Sequence, residues 1–155
     1  MSYEIERKFL LAALPPGLDA HPAKPVEQGY LAVGDEGVEV RLRRIAGDTV
    51  LTIKSSPGLV RVEEEIPIEE RRFQALWPLT DGRRLVKTRY LVPLDGLTAE
   101  VDVYGEALEG LLTAEVEFAS VEQSQAFRAP EWMGAEVTGD DRYANRNLAI
   151  DGRPT

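Results

Sequence analysis

The sequence predicts an α+β fold, mainly antiparallel β, in which an eight-stranded sheet closes into a tunnel barrel with a few helices packed outside. Three observations point there. Short segments alternate apolar with charged residues, the period of a strand. The gaps between them are tight turns, as antiparallel neighbours need, whereas parallel pairs need long crossovers. Charge of both signs recurs on one face of nearly every segment, which favours a lumen over a solvated sheet face.

Alternation, β-branched content and turn residues place strands at residues 3–11, 28–33, 37–46, 49–55, 59–67, 83–93, 97–105 and 112–119. Gly34-Asp35-Glu36-Gly37, Ala46-Gly47-Asp48, Ser56-Pro57-Gly58 and Asp95-Gly96 lie between strands as turns, so strands 3–4, 4–5 and 6–7 form hairpins. Helices are few. Phe73, Leu76 and Trp77 fall at helical spacing within Glu69–Trp77, and Pro78 ends that pattern. Ser120 and Gln123 read as a capping box for a helix through Phe127. Asp140 or Asp141 opens a last helix through Leu148, and the segment Arg142–Ile150 either closes one barrel mouth or covers an outer apolar face.

The 155 residues fit one domain, residues 1–155, with no repeat or linker that divides it. Hydrophobic content of 43% and charged content of 29% are ordinary for a soluble globular chain, and no apolar run approaches a membrane span. Glu4, Glu6, Arg7 and Lys8 occupy the place an apolar leader would need, so a cytoplasmic enzyme with no membrane partner is expected. Cysteine is absent, which excludes disulfides, thiolate metal sites and a cysteine nucleophile. The single histidine, His21, lies in a Pro-rich loop, so a His-rich zinc site cannot be built. Any metal is therefore hard and oxygen-ligated, such as magnesium or manganese. A net charge of −9 argues against nucleic acid as a partner.

The charged residues form two sets. Glu4/Glu6, Glu63/Glu65, Glu100/Asp102 and Glu115/Glu117 are carboxylate pairs two residues apart, each on one strand face. Several carboxylates crowded in a lumen raise one another's pKa unless a cation sits among them. Taken singly, each pair also reads as a solvated face with cross-strand ion pairs; taken together they favour a metal environment. The basic set is Lys8, Arg41, Arg43, Lys54, Arg61, Lys87 and Arg89, preceded on the sixth strand by Arg83 and Arg84. Arginine offers a planar fork to phosphate oxygens and lysine a point charge, so these residues suit the successive phosphoryl groups of an oligophosphate. Arg83 and Arg84 cannot both face inward, so at least one is structural. Tyr30 needs a partner for its hydroxyl if buried, and Lys8 is the candidate. Trp77, Trp132, Phe73, Phe118 and Phe127 are assigned to packing. No Walker loop, dinucleotide fingerprint, zincin or EF-hand motif is present, so phosphate binding rests on side chains in a tunnel.

The run Glu4-Ile5-Glu6-Arg7-Lys8-Phe9-Leu10 resembles the Glu-x-Glu-x-Lys signature of the CYTH superfamily, the triphosphate tunnel metalloenzymes. The resemblance continues in order through Gln28-Gly29-Tyr30-Leu31, Arg41-Leu42-Arg43, Thr52-Ile53-Lys54, Glu63-x-Glu65 and Lys87-Thr88-Arg89-Tyr90. It then takes in Glu100-x-Asp102, Glu115-x-Glu117, Val137-Thr138, Arg142-Tyr143-x-Asn145 and Leu148-Ala149. It implies an eight-stranded antiparallel barrel whose lumen binds a triphosphate with Mg2+ or Mn2+, most like the inorganic triphosphatases. By motif, Lys8, Arg41, Arg43, Lys54, Lys87 and Arg89 would hold phosphates, with Arg61 added from the basic set. Glu4, Glu6, Glu63, Glu65, Glu115 and Glu117, with Asp102, would supply the metal environment. Glu64 interrupts the apolar face of the fifth strand, whose outer side is expected to be exposed.

The expected reaction is metal-dependent hydrolysis of tripolyphosphate to pyrophosphate and phosphate, with Glu6, Lys8 and Tyr30 at the reacting centre. A thiamine triphosphatase, a nucleoside triphosphatase or an adenylyl cyclase would use the same tunnel, but no aromatic pair is placed to hold an organic head group. A non-catalytic oligophosphate-binding module would need the bases and could dispense with many carboxylates. A homodimer is admitted as an assembly.

Overall fold

The computed structural model describes residues 2–55 and 59–155. Eight antiparallel strands close into a barrel in the order β1-β5-β4-β3-β2-β6-β7-β8. They are β1 Ser2–Leu10, β2 Ala23–Val33, β3 Glu39–Ile45, β4 Asp48–Lys54, β5 Val60–Pro67, β6 Arg84–Leu94, β7 Leu97–Tyr104 and β8 Leu112–Glu117. Three short helices accompany them, α1 Glu70–Leu76, α2 Val121–Ala126 and α3 Asn145–Asp151. No helix among the described residues is long and apolar enough to cross a membrane.

The hairpins follow from turn chemistry. Ile45 pairs with Asp48 and Leu94 with Leu97, leaving two-residue loops. Both central residues of each loop, Ala46-Gly47 and Asp95-Gly96, have positive φ, the twist that matches right-handed strands. The expected Ser56-Pro57-Gly58 turn lies outside the described residues.

Strand β2 begins five residues earlier than expected. Pro22 and Pro25 read as loop punctuation, yet Ala23–Gln28 pairs along β6, and the Pro25 carbonyl accepts the Ala46 N–H at 3.0 Å. A register shift between Tyr30 and Ala32 marks a bulge before β3 begins. The last expected helix is split. Asp141–Tyr143 forms a 3-10 turn, Ala144 is extended at ψ 134°, and α3 starts only at Asn145. The first helix is shorter than expected and passes into a 3-10 turn, Trp77–Thr80, that Pro78 initiates. Ser120 caps α2 as expected, accepting the Gln123 N–H at 3.0 Å.

Apolar side chains face outward. Phe9, Val101, Ala114, Val116 and Phe118 form a core on the outer face of β1, β7 and β8, covered by Phe127, Trp132 and Met133. On the opposite flank, Phe73 stacks on Trp77 with ring centres 5.0 Å apart, and Arg44 lies 4.4 Å over the Phe73 ring. The outer side of β5 is exposed, as Glu64 led one to expect: Val60 and Ile66, with Tyr3 and Ile53 beside them, stand open. At one end Leu148 of α3 packs on Leu85 and Tyr104, residues that share the inner face with Lys87. The C-terminal segment therefore sits across one mouth.

Gly29 is dictated by this packing. A Cβ there would stand 2.6 Å from Thr80 Oγ1 and 2.9 Å from the Trp77 ring. Thr80 cannot yield, because it is fully buried, donates to the Trp77 carbonyl and accepts from Arg84 Nε. Gly29→Ala should cost about 2 kcal/mol and lower Tm by roughly 5 °C. Gly34→Ala, whose nearest neighbour would be 3.6 Å away, should leave the melting curve in place.

Candidate active site

Inward alternation brings both charged sets into one enclosed space of about 180 Å³. That is below the roughly 300–1,000 Å³ typical of sites for larger organic ligands, so it suits a compact one. Glu4, Glu6 and Lys8 enter from β1, Glu39, Arg41 and Arg43 from β3, and Lys54 from β4. Arg61, Glu63 and Glu65 come from β5, Arg89 from β6, Glu100 from β7, and Glu115 and Glu117 from β8.

The cations are under-served. Arg41 is buried, makes no ion pair among the described residues, and its Nε has no hydrogen-bond partner. Arg43 Nε is likewise unpartnered, and its nearest carboxylate, Glu65, lies 3.7 Å away. Burial, with Arg41 and Arg89 nearby, pulls the Arg43 guanidinium down to about 10, still a cation at neutral pH. Lys54 bridges Glu4 and Glu63 at 3.0 Å each. Arg61 reaches Glu39 at 2.5 Å and the Ser55 carbonyl at 2.8 Å. Lys8 donates to the Tyr143 carbonyl at 2.7 Å and stands 3.6 Å from Glu115.

The carboxylates are crowded. Glu6 lies directly across from Glu117, and Glu100 across from Glu115. Like charges in facing positions are destabilising. Burial, then Glu115 and Glu4, push the Glu6 carboxyl well above its usual range. Burial raises Glu4, opposed by Lys54 and reinforced by a hydrogen bond with Glu63. Burial and the Glu4 and Glu100 charges raise Glu117. Glu115 goes the other way: burial alone would raise it, but Lys8, Arg89 and Lys87 hold it well below the usual range, and it accepts a hydrogen bond from Glu6. Crowded glutamates and buried arginine N–H groups without partners thus line the same cavity.

Some expected site residues fall elsewhere. Asp102, expected among metal ligands, is fully buried away from the cavity. It accepts from Lys87 at 2.8 Å and from Arg89 Nε and Nη2 at 2.8 and 2.9 Å. Lys87, expected on phosphate, is committed to that carboxylate and does not line the space. Arg89 does line it, reaching Glu100 at 2.9 Å. Tyr30 lines it too, but its hydroxyl meets Gln28 Nε2 at 2.7 Å and Arg41 rather than Lys8; burial holds it protonated. Arg83 and Arg84 both serve structure, on the Tyr30 and Leu79 carbonyls and on Thr80 and Trp77.

One contribution was missed. Glu39 lines the cavity and keeps Oε2 unpartnered. Its position two residues before Arg41 placed it on the same face, a signal available in the sequence. Residues 137–140 and 143–145 also line the cavity; the resemblance had picked out Val137-Thr138 and Tyr143-x-Asn145, but no periodicity placed them there.

No protein-family model matches the chain. It is similar to an inorganic triphosphatase of Nitrosomonas europaea, 48% identical over 148 residues, which is 95% of this chain and 97% of that protein. An inorganic triphosphatase of Acetivibrio thermocellus is 38% identical over 155 residues, covering 96% of this chain and 94% of that one. A crystal structure of an inorganic triphosphatase, 44% identical, superposes with a TM-score of 0.73 over 99% of both chains. A Hippeastrum protein named as an adenylyl cyclase shares the fold alone, with a TM-score of 0.58 at 17% identity over 79% of this chain and 82% of that one.

The two kinds of carboxylate predict opposite mutant behaviour. Asp102→Asn strands two buried cations and should lose about 3–5 kcal/mol, a Tm drop on the order of 10 °C. Asp102 is held below its ordinary value, against burial, by Arg89 and Lys87. Its contribution is therefore complete above the ordinary aspartate pKa and lost as pH falls through the depressed one, so the gap to wild type should close in acid. Glu6→Gln, in chelator at neutral pH, should leave Tm unchanged or raise it.

Proposed function

The chain belongs to the inorganic triphosphatase family, and we propose that its cavity hydrolyses tripolyphosphate to pyrophosphate and phosphate with the help of bound Mg2+ or Mn2+. The observation that carries this reading is the pairing of under-served buried arginines with crowded carboxylates in one enclosed space. A polyanion alone would satisfy the first and worsen the second. A polyanion with a divalent cation answers both.

The donor set fits such a cation. Among the described residues no cluster of three or more acidic or histidine groups forms a ready cage. The carboxylates come instead as pairs in mutual hydrogen-bond contact, Glu4 with Glu63 and Glu6 with Glu115. Magnesium usually takes one or two carboxylates and completes its shell with water and substrate phosphate. Glu4, Glu6, Glu63, Glu115 and Glu117 are the residues assigned to hold it. When bound, it would neutralise charge on the phosphate oxygens and lower the pKa of a coordinated water.

Each side chain then has a task set by its chemistry. Arg41 and Arg43 offer free N–H groups to phosphoryl oxygens, with Lys54, Arg61 and Arg89 alongside. Lys8, fixed by the Tyr143 carbonyl, stabilises charge on the transferred phosphoryl group. Tyr30, neutral and beside Arg41, offers its hydroxyl to the same oxygens. Water adds to a terminal phosphorus, the bridging P–O bond breaks, and pyrophosphate leaves with the electron pair. The proton of that water passes to Glu6, which a neighbouring divalent cation would hold as the carboxylate able to accept it. Among the described residues only Tyr30 and Tyr143 bring aromatic rings to the cavity, which supports an inorganic substrate over one with a base to stack.

Phosphate release from tripolyphosphate should require Mg2+ or Mn2+ and stop in chelator. Glu117→Gln should lower kcat by about two orders of magnitude, and Arg41→Ala should chiefly raise KM. Unchanged phosphate release by Glu117→Gln would contradict the metal assignment. The acid limb of the kcat profile should move to lower pH as the Mg2+ concentration rises, because bound cation favours the ionised Glu6 carboxylate that burial and its neighbours otherwise disfavour.

A further inference from the structure

The segment that leads to the closed mouth runs antiparallel beside β1, joined to it by an isolated bridge and backbone hydrogen bonds. Gly134 N donates to the Leu10 carbonyl at 2.7 Å, Leu10 N to Ala135 O at 2.9 Å, and Val137 N to Lys8 O at 2.8 Å. Phe9 bridges Glu136 in the same ladder. Beyond it, Lys8 is gripped at both ends. Its backbone N–H donates to Thr138 Oγ1 at 2.9 Å, and its ammonium to the Tyr143 carbonyl at 2.7 Å. The position of Lys8 therefore depends on where this segment lies.

One outward-facing side chain sets that position. Arg7, between the inward Glu6 and Lys8, donates Nε and Nη2 to the two oxygens of Glu136 at 2.8 and 2.7 Å. Its Nη1 donates to the Ser124 and Phe127 carbonyls at the end of α2, at 2.8 and 3.1 Å. The guanidinium also lies 5.3 and 5.6 Å from the Phe9 and Phe127 ring centres. Glu136 Oε2 accepts the Thr138 hydroxyl as well, at 2.7 Å. With its proton directed to Glu136, the Thr138 oxygen is left to accept the Lys8 N–H. A continuous relay runs from Arg7 through Glu136 and Thr138 to Lys8, from the outside of the barrel wall to the cavity.

We propose that Arg7 is a positioning residue for the reaction, acting through Glu136 and Thr138 to hold Lys8 and the segment 137–145 in register with the bound phosphate. A planar fork fixes distance and orientation together, which a lysine in the same place cannot do. A displacement of about 1 Å at the reacting centre can cost on the order of a hundredfold in rate. The inference rests on the triphosphatase reading above, and its test separates the two.

The test uses the full chain, with activity expressed per folded molecule from circular dichroism. Arg7→Met keeps an unbranched stem between the two phenyl rings and removes the fork. It should lower kcat on tripolyphosphate about tenfold or more while KM changes less than about twofold. Thr138→Val should do the same, and Thr138→Ser, which keeps the hydroxyl, should retain near wild-type kcat. Because the residues act in series, the Arg7→Met/Thr138→Val double variant should be no slower than the worse single one. Wild-type kcat in Arg7→Met, or losses that multiply in the double variant, would overturn the inference while leaving the triphosphatase reading intact. A wild-type chain that releases no phosphate would sink that reading instead. Hydrogen exchange at the Lys8 amide then decides the relay: faster exchange in both Arg7→Met and Thr138→Val upholds it, and unchanged exchange overturns it.

Discussion

Closing an antiparallel sheet on itself separates two solvents. Side chains that alternate along each strand are sent either to the outer face, apolar where helices and loops cover it, or to an inner space largely shielded from water. Once Phe9, Val101 and Val116 are outside under α2, their neighbours Lys8, Asp102 and Glu115 must be inside. Buried charge is costly unless paired or hydrogen-bonded. The barrel therefore stands only if its inner charges answer one another or await a ligand.

Both solutions coexist at different depths. Beside the cavity, Lys87 and Asp102 satisfy each other and share Arg89, which itself lines the cavity, and the three hold β6 to β7. Within the cavity, Arg41 and Arg43 keep unpartnered N–H groups and the glutamates face one another across strands. Such an interior is complementary to something that brings negative phosphate oxygens and positive metal charge together. The segment 137–145 closes one end of it and ties the backbone of Lys8 to its own residues.

Much of this was legible in sequence because a period of two is a strong signal. The Glu-x-Glu, Arg-x-Arg and Lys-x-Arg pairs declared their common faces, and Ala46-Gly47 and Asp95-Gly96 declared their hairpins. What escaped depended on partners distant in the chain. The fate of Asp102 is decided by a register that sets it opposite Arg89, so a residue that read as a metal ligand became an internal counter-ion. The prolines at 22 and 25 masked the start of β2, whose pairing with β6 outweighs local propensity. The segment after Met133 carries no alternation, since its place is set by ladder bonds to β1 and by the Arg7 fork.

The central claim is that ionic side chains enclose a site for a metal-bound linear phosphate. Its most direct test is a crystal structure of the chain grown with tripolyphosphate and Mn2+, using anomalous scattering to locate the metal. Three linked phosphoryl groups against Arg41 and Arg43, with manganese beside Glu6 and Glu115, is the expected result. An empty lumen, with phosphate and metal bound only on the outer surface, would contradict the account.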